Sequence, residues 1–159
     1  APVGSSGILN LSNSETDIYD TYINLLGFRY YYAAKPGEDH PGFEAMRGLE
    51  IRETAATAVI CGFKCKSAEV TLPSNRSRVL KIWYTDEINV KKPNTATPYS
   101  EIEGVLMHFF LVIGHAEMHF KAESVYKKEI PDKTFERRQK YLRVSRADIT
   151  DFIDKLVSL

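Results

Sequence analysis

The sequence predicts an α+β fold in which an N-terminal helix and two C-terminal helices pack on a mainly antiparallel sheet. Apolar residues recur at helical spacing near both ends of the chain, whereas alternating or continuous apolar runs of strand length occupy the middle. The predicted helices and strands do not alternate regularly along the chain. This order favours an antiparallel sheet over a parallel, doubly wound one.

Length and composition predict one globular domain. The chain has 159 residues, of which 43% are hydrophobic and 26% are charged, and these values argue against a disordered chain. Residues 1–11 are rich in Gly, Ser and Pro and are predicted as a flexible or extended arm before a globular core over 12–159. Lys plus Arg and Asp plus Glu both number 21, so a charged partner would have to recognise a local patch.

The two cysteines, Cys61 and Cys65, are predicted to be reduced. On one strand their four-residue spacing would separate them by about 13 Å, which is too far for a disulfide. Reduced thiols favour an intracellular location. No transmembrane segment is predicted, because the apolar run over Val105–Ile113 is shorter than the roughly 20 residues that span a bilayer.

The first predicted element after the arm is a helix. Ser12 or Ser14 would be its N-cap, and acidic residues occupy the first turn. Its apolar face would run from Ile18 to Leu26, and Gly27 would end it.

The middle of the chain is predicted to form strands and loops. The aromatic stretch 28–34 is compatible with a strand or with a further helical turn, and strands are predicted over 57–66 and 78–84. Loops are predicted over 35–42 and 86–100 from their Pro, Gly and polar residues.

The stretch from Glu103 to Tyr126 is predicted to form two central strands. Val105–Ile113 is almost continuously apolar, which is typical of a strand buried on both faces. After Gly114, polar and apolar residues alternate strictly, which is typical of a strand with one solvent-exposed face. Gly114 is therefore predicted to form the bend or turn between the two strands.

Two helices are predicted at the C-terminal end. The first would begin at Ile130-Pro131-Asp132 and continue through Leu142. The second would be capped by Ser145, with Asp148 three residues later. Its apolar stripe has helical spacing and consists of Ile149, Phe152, Ile153, Leu156 and Val157.

One candidate metal site lies in the alternating stretch. His115, Glu117 and His119 would share one face of a strand, with neighbouring positions about 6.6 Å apart. Two histidines and a carboxylate are a ligand set for a divalent metal with open coordination positions. A solvated strand face explains the same pattern and is the preferred interpretation, because Lys121 and Glu123 continue the polar row.

A basic segment follows the central strands. Eight basic residues lie between Lys127 and Arg146, opposed by only three acidic ones, and such a surface suits phosphates of RNA or anionic lipid headgroups. Tyr126, Phe135 and Tyr141 interleave with these residues and would suit base stacking. A solvated helix face is the alternative explanation. The candidate anion-binding residues are Lys127, Lys128, Lys133, Arg137, Arg138, Lys140 and Arg143.

The sequence thus favours a non-enzymatic binding and assembly protein without a cofactor. We expect a homo-oligomer that contacts nucleic acid or an acidic membrane surface through the basic segment, a design that would suit a viral matrix- or capsid-like subunit. The main support is that no nucleophilic triad or phosphate-binding glycine loop is visible. The alternatives are a small enzyme that uses one divalent metal at His115, Glu117 and His119, and a small-molecule carrier with an aromatic-rich core.

Overall fold

The chain folds mainly into β-structure, so the predicted α+β class is wrong. The structure is a computed structural model that describes residues 6–159, and strands make up 46% of it against 12% helix. A four-stranded sheet has the order β1-β2-β3-β9, and a five-stranded sheet has the order β4-β5-β6-β7-β8. The strands are β1 (Gly7–Asn13), β2 (Ile18–Leu25), β3 (Phe28–Ala34), β4 (Glu50–Ile60), β5 (Phe63–Leu72), β6 (Asn75–Thr85), β7 (Val105–Ile113), β8 (Ala116–Lys121) and β9 (Leu142–Arg143), and one helix, α1, spans Arg146–Val157.

The predicted N-terminal helix is wrong, because its residues form β2, the central strand of the first sheet. β2 pairs with β1 on one side and with β3 on the other, antiparallel in both cases. Both faces of β2 are covered, so apolar and aromatic residues occur on both and their spacing resembles that of a helix. Leu26 and Gly27, with φ of 52° and 89°, form the two-residue turn into β3.

The start of the chain also differs from the predicted arm. Residues 7–11 belong to β1 and pair with β2. Residues 1–5 of the predicted arm lie outside the described part of the chain.

The second sheet is an antiparallel meander that matches several predicted strands. The strand predicted over 57–66 is in fact a hairpin, since Cys61 and Gly62 have φ of 52° and 81° and turn the chain from β4 into β5. β7 has its predicted bounds, and Gly114 forms the turn into β8 as expected. Both cysteines are free thiols.

β6 and β7 are paired over only part of their length. Their ladder runs from Thr85↔Val105 to Trp83↔His108, and beyond it β7 pairs only with β8. Loop groups bind the backbone that is left open. The Tyr99 hydroxyl donates to the Phe110 carbonyl at 2.6 Å, and the Val112 N–H points at the Met46 sulfur at 3.2 Å.

The predicted closing helix is confirmed as α1. The Ser145 hydroxyl accepts a hydrogen bond from the Asp148 N–H at 3.1 Å, as expected for an N-cap. Ile149 and Ile153 are fully buried and pack against Ile23 of β2. The face of the first sheet that α1 covers is the inner face, and the opposite one is the outer face.

The other predicted C-terminal helix, over residues 130–142, is also wrong. Only one 3-10 turn, Asp132–Phe135, forms there, and the chain then runs without regular secondary structure, with a bend at Gln139 and Lys140, into β9. After this turn, backbone N–H groups bond to the first sheet and do not continue a helix. The Arg138 N–H donates to the Tyr22 hydroxyl, and the Val144 N–H donates to the Tyr31 carbonyl, both at 2.9 Å.

The long loop predicted over 86–100 has no regular secondary structure and extends to Gly104. The buried Asn94 side chain connects the middle of the loop to its C-terminal end by donating to the carbonyls of Ile102 and Gly104 at 2.8 and 2.9 Å. Within residues 6–159, the helical segments are too short or too polar to cross a membrane.

Candidate anion-binding surface

The outer face of the first sheet gathers much of the predicted basic segment. Asp20 and Tyr22 of β2 point to this face, opposite the side packed on α1. The chain from Glu136 to Tyr141 crosses the outer face, and β9 then pairs with β3. The surface is therefore built from two parts of the chain that lie more than a hundred residues apart.

Arg137 is the anchor of this segment, because its guanidinium binds the fully buried Asp20. Nε and Nη2 donate to the two carboxylate oxygens, each at 2.9 Å. The Tyr22 hydroxyl also donates to Asp20, at 2.6 Å. Hydrogen bonding to Asp20 raises the pKa of Arg137. The charge of Arg137 is thus already neutralised inside the protein.

Tyrosine rings support the neighbouring cations. The Arg138 guanidinium lies 5.5 Å from the centre of the Tyr22 ring, and that of Arg29 lies 5.9 Å from the centre of the Tyr141 ring. The two rings contact each other edge to face at 5.0 Å. Burial, followed by the hydrogen bond to Asp20, raises the pKa of Tyr22 to about 12, so this hydroxyl stays neutral.

Four cations on this surface have no carboxylate partner. Arg143 is paired with Tyr31 across β3 and β9, and Arg29 precedes Tyr31 by two residues, which places both arginines on the outer face. Arg138 lies over the Tyr22 ring, and Lys140 is an exposed residue of the segment that crosses this face. Within residues 6–159, no ion pair involves these four side chains. We call the set the outer-face basic cluster, and it consists of Arg29, Arg138, Lys140 and Arg143.

The remaining predicted basic residues lie elsewhere. Lys127 and Lys128 are exposed on the irregular stretch that follows β8, and Lys133 is exposed on the 3-10 turn beside a cleft lined by Glu15, Asp132 and Glu136. Of the three interleaved aromatics, only Tyr141 packs against the cluster. Arg29 was missed by the sequence analysis, because its alignment with Arg143 depends on a strand pairing between distant segments.

The candidate metal face is organised by an arginine. Arg78 of β6 donates two hydrogen bonds to the Glu117 carboxylate, at 2.6 and 2.9 Å, and His119 Nε2 lies 2.9 Å from the same carboxylate. The bond from Arg78, followed by that from His119, lowers the pKa of Glu117 to about 2. His115 lies in the turn before β8. Among the described residues, no three His, Cys, Asp or Glu side chains are grouped to hold a metal ion.

His40 is buried in a polar cluster on the inner face. Its ring nitrogens lie 2.9 Å from the Ser12 hydroxyl and 3.2 Å from the Thr21 hydroxyl, and Thr21 donates to the Asn10 side chain at 2.8 Å. Burial lowers the pKa of His40 to about 4, so the ring is neutral near pH 7. This cluster is an internal connection between β1, β2 and the loop after β3.

No family model, curated protein or solved structure matches this chain.

Proposed function

We propose that this chain is a non-enzymatic binding and assembly protein that contacts an anionic partner through the outer-face basic cluster. The observation that supports this proposal is a set of four cations without carboxylate partners on one face of a hydrogen-bonded sheet. Such a surface gains by neutralising phosphates and releasing their counterions.

Single-stranded RNA is the partner that this chemistry favours. The guanidinium groups of Arg29 and Arg138 lie 5.9 and 5.5 Å from the centres of tyrosine rings. Guanidinium planes stack on unpaired bases, and arginines also bind the phosphates between those bases. Binding to an acidic membrane surface would require only the positive charge of the cluster. Such a membrane is the competing candidate partner.

Self-association is supported by apolar side chains at one end of the first sheet. Leu26, Phe28 and Leu142 are 65%, 64% and 64% exposed. Leu142 is paired with Tyr30 on the short edge strand β9, and the Phe28 ring stacks on Tyr30 at 6.4 Å. Because this patch continues from the packed core, a second copy of the chain that covered it would bury apolar area without any rearrangement.

The test compares binding by two variants with the same change in charge. The cluster variant replaces the four residues of the outer-face basic cluster with Gln. The control variant replaces four cations outside the cluster with Gln, namely Arg52, Arg76, Lys91 and Lys92. Fluorescence anisotropy would measure binding to a labelled polyuridine of about 20 nucleotides. Co-sedimentation with phosphatidylserine vesicles would measure binding to an acidic membrane.

We expect wild type and control to bind the polyuridine, and the cluster variant to bind it at least roughly tenfold more weakly. If the two variants bound equally, net charge alone would explain the binding and the proposal would fail. If only vesicle binding depended on the cluster, the cluster would still be an anion-binding surface, but RNA would be the wrong partner.

A further inference from the structure

A cavity lies between β6 and β7, where the two strands separate. It has a volume of about 220 Å³. An engineered apolar cavity of roughly 150 Å³ can hold benzene, so this space suits a ligand slightly larger than that. Its floor is apolar and consists of Val70, Leu72, Leu80 and Val112.

The rim of the same cavity carries both charges of the Arg78–Glu117 ion pair. The side chain of Arg78 is 50% exposed and that of Glu117 is 29% exposed, so both reach solvent at the mouth. Ser74, Asn75 and His115 are the other polar residues that line the cavity. An apolar floor below a few convergent polar groups is the usual arrangement of a small-molecule site.

The two charged groups retain unused hydrogen-bonding capacity. A guanidinium has five N–H donors, and Arg78 directs two of them to Glu117. A carboxylate has about four acceptor positions, and Glu117 uses three of them for Arg78 and His119. A ligand can therefore add a carboxylate beside Arg78 and an ammonium beside Glu117 without breaking the pair.

We infer that this cavity binds a small zwitterion with an apolar side chain, such as a free aliphatic α-amino acid. The apolar side chain would occupy the floor formed by Val70, Leu80 and Val112. The carboxylate would bind Arg78 and the ammonium would bind Glu117. This site is separate from the outer-face basic cluster, and the inference does not depend on the proposed function.

The charge of the rim argues for a zwitterion over other small ligands. An apolar carboxylate without an amine would bind the Arg78 guanidinium, but its negative charge would be repelled by the Glu117 carboxylate. An apolar amine would bind the Glu117 carboxylate, but its positive charge would be repelled by the Arg78 guanidinium. A hydrocarbon would fill the floor and remove water from the ion pair without replacing its hydrogen bonds, which is costly.

The test is a ligand series measured on the wild-type protein by methyl NMR. The probes are L-leucine, 4-methylpentanoate, which lacks the amine, and 3-methylbutylamine, which lacks the carboxylate. We expect L-leucine to shift the methyl signals of Val70, Leu80 and Val112 with a Kd on the order of 0.1–1 mM. The other two probes should bind roughly tenfold or more weakly.

Variants locate the site and control for general effects of charge. R78Q and E117Q should each weaken L-leucine binding roughly tenfold, whereas R76Q should leave it unchanged, because Arg76 on the same strand pairs with Glu50 away from the cavity. Equal binding of L-leucine and 4-methylpentanoate would refute recognition of a zwitterion. The absence of saturable shifts with L-leucine at concentrations on the order of 10 mM would refute the site itself.

Discussion

Arg137 and Asp20 lie 117 positions apart in the sequence and form a bidentate ion pair. This pair connects the C-terminal segment to β2 in the first sheet. Asp20 is fully buried, whereas the Arg137 side chain is 40% exposed. The pair therefore neutralises a buried carboxylate with a cation that reaches in from the surface. The guanidinium of the adjacent Arg138 lies over the Tyr22 ring and donates one hydrogen bond to the Thr134 carbonyl at 3.3 Å. It has further N–H donors that a partner could use, because a guanidinium carries five.

Removal of the Arg137 charge should destabilise the fold. We expect R137Q to lower the free energy of unfolding by about 3 kcal/mol, because the buried Asp20 would lose two charge-assisted hydrogen bonds. The measurement is urea unfolding. R52Q is the control and should change stability by less than about 1 kcal/mol, since the Arg52–Glu69 pair is exposed. A loss for R137Q no larger than that for R52Q would contradict the anchoring role.

Stability should fall as the pH is lowered from about 6.5 to 4, because of His40. Its pKa is about 4 in the folded protein, below the ordinary 6.5, so the unfolded chain binds more protons across this window. By pH 4 this difference in pKa would lower the free energy of unfolding by about 3 kcal/mol. Urea unfolding at a series of pH values should show this slope for wild type and a flatter profile for H40Q. Identical slopes would show that His40 is not responsible.

Gly104 should not tolerate a side chain. A Cβ at this position would lie 2.7 Å from Tyr84 Cδ2 and 2.8 Å from the Thr85 carbonyl oxygen. We expect G104A to lower the free energy of unfolding by about 2 kcal/mol through overpacking. G7A is the matched control and should be neutral within about 0.5 kcal/mol, because no atom of residues 6–159 other than its chain neighbours lies within 4 Å of a Cβ there. Equal stability of the two variants would contradict the close packing of Gly104 against Tyr84 and Thr85.

The apolar end of the first sheet should mediate self-association. Substitution of the exposed Leu142 with Gln should shift oligomers toward monomers in light scattering over a concentration series. V59Q removes an apolar side chain that is 73% exposed on the other sheet and should leave the oligomers unchanged. If wild type were monomeric throughout, or if both variants behaved alike, this surface would not be the interface.

Local sequence signals predicted those parts of the fold that depend on neighbouring residues. The continuous apolar run of β7, the alternation in β8 and the Ser145 cap of α1 are each contained within a short window. β2 was mistaken for a helix because both its faces are covered, which removes the alternation expected of a strand with one exposed face. The segment after Pro131 contains helix-forming residues, but its backbone bonds to the sheet.

The candidate surface was only partly predictable for the same reason. The density of charge after Lys127 indicated an anion-binding segment, and Arg138, Lys140 and Arg143 do belong to the cluster. The use of Arg137 by Asp20 and the addition of Arg29 both follow from pairing between distant strands, which no local pattern contains.

The salt dependence of RNA binding measures how many phosphates the outer-face basic cluster neutralises. For a single strand, the slope of log K against log salt concentration is about −0.7 for each phosphate that is neutralised. Anisotropy titrations with polyuridine between about 50 and 200 mM salt should give a steep slope for wild type and for the charge-matched control. The variant lacking Arg29, Arg138, Lys140 and Arg143 should have a slope shallower by about 3. An unchanged slope in that variant would show that the outer-face basic cluster does not bind the RNA.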